Sequence, residues 1–391
     1  MTANISSRER TLAAVNHQEA DRVPIHFRGV APFDHLWNGE HERVDVLLSM
    51  GADAYVNIAI EPRIHPDVTV HDWFNEESDP EYRLASREYT TPAGTLRAVM
   101  RCTDDCTYEG GVPLASDHNI SRGVEFLVKG RDDLPKLAYL LQEPSKDDIA
   151  AFREQARRQK EFADDRGIVV IASGGPAGDM AFWLCGPNLY YLVHDDPEFA
   201  QTLMDMIQII DLKCMQIMLE EAPDIVYTRG CYETAPMWSP QLHDMLFAPR
   251  LRERAGLVHQ AGGKLSYFSS GNFVPHVDAL LDTGADIIDA VRPDHGANNM
   301  RVLKERIGDR ICLWGGINPE VSIAQPTCEQ TRRDVADVIL AAATGGGFVL
   351  STGGSICDAD CYDNTVAFIE AAREFGTYPI DAPRLEAVIQ S

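Results

Sequence analysis

Most of the residues in this chain able to do chemistry sit just past the ends of short apolar runs. Arg28 follows the run 23–27, and a guanidinium fork there would hold a carboxylate or phosphate bidentately. His26 lies inside the same run, close enough to share a substrate with it. After the run 225–228 comes RGCYET, carrying Arg229, Cys231 and Glu233, of which Glu233 is a candidate general acid or base or an oxygen ligand to a metal. The run 265–268 contains Tyr267 and is followed by Ser270 and Asn272. Asp289 ends the run 287–290, where an isolated buried carboxylate is costly and needs a partner, Arg292 being the near one. His295, in RPDHGA, titrates near neutrality and could move protons. Each has a plainer alternative: a surface Arg, a solvated loop carboxylate, a packed Tyr or an exposed His.

The catalytic set expected on this reading is Glu233, His295, Asp289 and Tyr267, and the substrate-binding set is His26, Arg28, Trp183, Arg229, Ser270, Asn272 and Ser355. Ser355 closes the phrase Thr352-Gly353-Gly354-Ser355, which follows a strand and could offer backbone N–H groups to an anion. Trp183 and Phe182, after GGPAGDM, could wall an aromatic or tetrapyrrole ligand or staple a helix. Cys357 and Cys361 form a CxxxC with acids between, and Cys231 could face them. Zinc at these three is one reading and inert thiols the other, because the spacing lacks a firm zinc signature.

Eight apolar runs, 23–27, 54–60, 168–172, 225–228, 265–268, 287–290, 311–314 and 348–351, are short enough for strands. Most precede stretches with helical spacing, such as 197–219, 240–260, 273–281 and 327–343. Strand and helix in alternation imply a parallel sheet, and unbroken apolar strands imply burial on both faces. Eight units predict a closed (β/α)8 barrel, with a doubly wound sheet as the alternative, and in such barrels the chemistry sits in the loops after the strands. Ser239-Pro240 and Asp196-Pro197 read as helix starts, and Gly284 and Gly308 as left-handed helix ends. Residues 63–144 interrupt the alternation after the second strand, with a hairpin pattern around Pro92-Ala93-Gly94-Thr95. One domain over 1–391 is expected, its β-rich insertion covering the barrel mouth.

The 391 residues carry 35 Lys and Arg against 60 Asp and Glu, a net charge of -25 that disfavours nucleic acid and anionic membrane partners. Nine cysteines scattered singly do not make a disulfide framework. No run of apolar residues is long enough to span a bilayer, and the opening MTANISSRERTLAAV reads as a capped helix, so a reduced cytoplasmic compartment is expected.

Several phrases resemble the uroporphyrinogen decarboxylase superfamily, which also contains corrinoid and coenzyme M methyltransferases. They are SSRERTLAAVNHQEADRVPI, DIVYTRGCYETAPMWSPQLHDMLFAPRL, GGKLSYFSSGNFVPHVDALLDTGADIIDA, ICLWGGINPE and GGGFVLSTGGSICDADCYDNTVAFIEAAREFG. The resemblance implies a TIM barrel. The decarboxylases carry an Arg-rich RQAGRY segment where this chain has HFRGVAPF, leaving Arg28, and a GHG phrase where it has Gly353-Gly354-Ser355. The zinc-dependent methyltransferases use a His and a Cys after strand five and a Cys after strand eight, where this chain has Phe268, Ser270 and a residue close to Ser355. What remains similar is the group that demethylates small methoxylated or methylated compounds and hands the methyl group to a corrinoid protein. The expectation is such a methyltransferase, with Arg28 orienting the substrate, Glu233 or His295 supplying a proton, a corrinoid protein as partner, zinc undecided and a homodimer possible. A decarboxylase of a porphyrin or small carboxylic acid is the alternative, and a non-catalytic tetrapyrrole-binding barrel a further one.

Overall fold

The computed structural model of the protein describes residues 5–75, 81–175, 177–293, 298–324, 327–356 and 361–391. Its strands are β1 (Ile25–His26), β2 (Tyr55–Ile58), β3 (Thr69–Asn75), β4 (Leu84–Thr91), β5 (Gly94–Arg101), β6 (Gly123–Glu125), β7 (Val169–Gly174), β8 (Ile225–Arg229), β9 (Lys264–Phe268), β10 (Ile287–Val291), β11 (Cys312–Ile317) and β12 (Phe348–Thr352). They form two sheets. The larger has eight strands in the order β1-β12-β11-β10-β9-β8-β7-β2, parallel at each recorded pairing, and each expected run lies in it.

The two end strands of this sheet meet through a side chain. Asp53 donates its N–H to Ile25 O at 2.7 Å, and its carboxylate accepts the Ile25 N–H at 2.8 Å. The same carboxylate takes Arg10 and Arg22 at 2.6 Å each, so its buried charge is compensated. Asp53 thus closes the ring where ladder bonds between β1 and β2 would otherwise run, giving the (β/α)8 barrel with an inserted β sheet.

The chain divides into two compact units. The first, Met1–Ala59, Phe152–Ser173 and Met218–Ser391, contains the ring. The N-terminal helix Ser7–Val15 begins at a capping box made by Ser6 and Glu9. Its Ala14 and Val15 pack with Val169, Ile225, Ile287, Cys312, Trp314 and Val349, plugging the amino end of the barrel with apolar surface. The second unit, Ile60–Ala151 and Gly174–Ile217, contains the antiparallel sheet β3-β4-β5-β6 and includes the interruption at 63–144. Its hairpin turns at Pro92-Ala93, where Thr91 Oγ1 accepts the Ala93 N–H at 3.1 Å and donates to Gly94 O at 2.7 Å.

The helix Pro197–Leu219 has the expected bounds, and Ser239 caps Pro240–Leu246 by accepting the Leu242 N–H at 3.3 Å. The helix expected over 240–260 is instead broken at Phe247 and resumes as Ala248–Gln260, because Pro249 has no N–H to continue the ladder. Gly284 takes a left-handed φ of 83°, whereas Gly308, at φ -69°, does not, correcting that expectation. Among the described residues no helix is long and apolar enough to cross a membrane.

Candidate active site

Side chains alternate across a strand, and parallel register partners face the same way, so one lining residue orients its neighbours. Ser266 pairs with Tyr227 and Ile287, and Asp289 with Phe268 and Trp314, which places all six on the inner face. Tyr227, Ser266, Asp289 and Trp314 among them line a cavity of about 220 Å³ inside the ring. Its polar lining is Arg28, Tyr55, Asn57, Ser173, Tyr227, Ser266 and Asp289, and its apolar lining Ile171, Ile225 and Trp314.

Arg28 occupies the centre of this lining. Its guanidinium donates to Asp289 Oδ2 and to the Tyr227 hydroxyl, and lies over the rings of Tyr227 at 4.5 Å and Phe268 at 4.2 Å. Burial opposes the guanidinium charge, but the neighbouring Asp289 and Tyr227 more than offset it and hold Arg28 protonated. Burial pushes the Asp289 carboxyl up from its ordinary value, against the pull of the Arg28 charge and the Ala290 N–H. Asp289 therefore pairs across the barrel and not with Arg292, as its sequence neighbourhood suggested; Arg292 lies 3.7 Å from Glu320. A bulge in β10 between Asp289 and Val291 aims this carboxylate. Ala290 takes φ 63°, a left-handed value rare for a residue with a Cβ, and its N–H donates to Asp289 Oδ1 at 2.5 Å.

Glu233 and Tyr267 come together, but away from the cavity. Because Ser266 faces inward, Tyr267 faces the helix layer, where its hydroxyl donates to Glu233 Oε2 at 2.7 Å. Both are buried, so Glu233 is not a solvated loop carboxylate. Gly230 makes room for the pair, since a Cβ there would stand 2.4 Å from the Tyr267 ring and hydroxyl. The arrangement ties the loop after β8 to β9.

His26 Nε2 is 2.9 Å from Thr11 Oγ1, and its ring is 4.7 Å from Trp314 of the cavity wall, although His26 itself is not among the lining residues. Burial lowers its pKa to about 4, keeping it neutral. Asn272 accepts the Val274 N–H at 3.1 Å and shapes its own turn. Ser270 Oγ lies 2.9 Å from Cys231 Sγ, and Arg229 stands over the Tyr232 ring at 5.8 Å. Ser355 is exposed, beside Gly29. In the second unit Trp183 donates to Asp117 Oδ1 at 3.0 Å, while Phe182 is buried against Tyr190, so the two do not form one apolar wall. His295 and Cys357 lie outside the described residues.

Cys361 is buried at the start of the helix Tyr362–Phe375, and Cys231 is half-buried beside Ser270. Among the described residues no group of three or more His, Cys, Asp or Glu side chains could hold a metal. The cavity residues Tyr55, Asn57, Ser173, Tyr227, Ser266 and Trp314 were missed by looking only past the strand ends. Counting back two residues from each end along the inward alternation would have found Tyr227 and Ser266.

A family model described as uroporphyrinogen decarboxylase (URO-D) matches residues 131–375. The uroporphyrinogen decarboxylase of Coxiella burnetii (strain Dugway 5J108-111) is 20% identical over 246 residues, 60% of this chain and 66% of the relative. That of Chromohalobacter salexigens is 29% identical over 187 residues, 47% of this chain and 50% of the relative. The chain thus matches between half and just under two thirds of these relatives' lengths. Among solved structures, a methyltransferase from Methanosarcina mazei superposes with a TM-score of 0.56 at 16% identity, covering 95% of this chain and 99% of that one, a likeness of fold. Since the family model spans more than half of the chain and the ring carries the barrel such a match implies, the protein belongs to the uroporphyrinogen decarboxylase superfamily.

Proposed function

We propose that the protein is a methyltransferase that takes a methyl group from a small methoxylated or methylated organic compound held in the barrel cavity and passes it to a corrinoid on a partner protein. The observation that carries this reading is the cavity itself, about 220 Å³ with a single cation, Arg28, in its lining among the described residues. Uroporphyrinogen, with four pyrrole rings and eight carboxylates, exceeds it in size and needs several cations. A corrin ring does not fit either, so the acceptor would approach from outside, at the carboxyl ends of the strands. When bound at that rim, the corrinoid would supply a reduced cobalt centre able to accept a methyl group.

The chain's own part is to bind, orient and protonate. Tyr55 and Trp314 would pack a small planar compound, and Asn57 and Ser266 would hold its oxygens. The Tyr227 hydroxyl, which accepts from Arg28, would give its proton to the oxygen that loses its methyl group, with the Arg28 guanidinium beside the tyrosyl oxygen so formed. That role replaces the one expected of Glu233. The test is to mix the purified protein with a corrinoid protein and a panel of methoxylated compounds while recording the cobalt spectrum. Growth of the methyl-cobalt bands supports the proposal, and an unchanged spectrum with every donor contradicts it.

A decarboxylase of a small carboxylic acid is the second reading, favoured by the match to relatives named uroporphyrinogen decarboxylase over 60% of the chain. Release of carbon dioxide from uroporphyrinogen or a small acid, with no change at cobalt, would decide for it.

A further inference from the structure

Among the described residues, the one cation and the one anion in the cavity lining are bonded to each other. Arg28 gives one donor to Asp289 and one to Tyr227, and the rings of Tyr227 and Phe268 lie against its flat faces. Asp289 is fixed in turn by the Ala290 N–H at a strained bulge, so the carboxylate does not swing away without a backbone change. An anionic ligand reaching Arg28 would share a buried space with this carboxylate, and like charges at close range in low dielectric repel strongly. The rest of the polar lining is neutral. Asn57 Oδ1 accepts from Ser173 Oγ at 3.3 Å, which leaves the Asn57 amide N–H groups and the Ser266 hydroxyl to meet a ligand's oxygens.

We infer that Asp289 is a specificity-determining residue that neutralises the charge of Arg28, so that the cavity takes uncharged, oxygen-bearing small molecules and rejects carboxylates of the same size. This rests on the cavity being the substrate site of the proposed function, and it does not need methyl transfer to be the reaction. It also reverses the first reading of Arg28 as an anchor for a substrate anion: the anchor is present and internally occupied.

The experiment compares two probes of one shape, 4-methoxybenzyl alcohol and 4-methoxybenzoate, by calorimetric titration of the full chain without any corrinoid protein. The wild type is expected to bind the alcohol at least about tenfold more tightly than the carboxylate, and Asp289→Asn to reverse that order by a similar factor. Asp289→Asn leaves a buried guanidinium unpaired and could fail to fold. The double variant Arg28→Met, Asp289→Leu removes both charges and is expected to keep the alcohol and still reject the carboxylate. Ser266→Phe, which fills the cavity, is expected to lose both probes. Equal or tighter binding of the carboxylate by wild type overturns the inference. So does an unchanged ratio in folded Asp289→Asn, carboxylate binding by the double variant, or a wild type that binds neither probe. Alcohol binding without any methylation of cobalt would instead sink the proposed reaction and leave the charge assignment standing.

Discussion

At the scale of single residues, the decisive contacts join positions far apart in the chain. Arg28 and Asp289 are separated by 261 residues, and Tyr267 and Glu233 by 34. The second pair is read as an anchor for the loop after β8, which gives a sharp expectation. Tyr267→Phe removes a hydroxyl from a buried carboxylate and should lower stability by about 1–3 kcal/mol. Denaturant unfolding checks that cost, while binding of small molecules in the cavity should be unchanged in the folded variant. A loss of binding with full stability would return Tyr267 to the active site. The sequence made Arg28 and Asp289 conspicuous but not their pairing, because Arg292 stands nearer along the chain and only the closed ring brings Arg28 across. Tyr267 misled for a related reason. A polar residue near a strand end looks available for chemistry, whereas a shift of one residue decides whether it faces the cavity or the helices.

Among the elements, the eight strands and their order of occurrence were legible because apolar runs and helical spacing alternate so regularly. What spacing could not show was the break at Phe247, imposed by Pro249, nor the histidine pair that this region buries. His243 and His276 stack at 4.2 Å behind the loop after β8, and His276 Nε2 lies 3.1 Å from Trp238 O. The Asp244 carboxylate lies 3.9 Å from His243, and the Glu233 backbone bonds towards His276. Burial lowers both histidines, His243 from 6.5 to about 3. The folded state therefore holds them neutral, while the unfolded chain takes up protons as the pH drops below 6.5. Stability should be at its plateau above that pH and fall as the pH descends towards 3, by an amount on the order of a few kcal/mol. Replacing the stacked pair by His243→Phe and His276→Gln should flatten this part of the curve in pH-dependent thermal unfolding. An unaltered acid limb would mean other groups govern it.

For the whole molecule, the barrel depends on a seam that no strand pattern announces. Asp53 stands just before β2, and its carboxylate joins β1, Arg10 and Arg22 at once, with Arg10 also held by Asp21 at 2.6 Å. Asp53→Asn removes the charge that the buried Arg10 and the half-buried Arg22 face, and is expected to cost about 3–5 kcal/mol, read as a lowered Tm and midpoint in urea. A variant as stable as wild type would show that the seam is held by packing alone. Length and alternation pointed to the closed ring, but the closing residue lay between runs and carried no signal beyond being acidic.

The central claim is that chemistry happens inside this ring, at Arg28, Tyr227 and Asp289, and not at the Glu233–Tyr267 pair behind its wall. The most direct measurement is the rate of cobalt methylation by wild type, Ser266→Phe and Tyr267→Phe, each checked for folding, with one methoxylated donor and a corrinoid protein. The expected result is that Ser266→Phe abolishes transfer while Tyr267→Phe keeps the rate of wild type. Transfer that survives the filled cavity but disappears with the Tyr267 hydroxyl would contradict the claim.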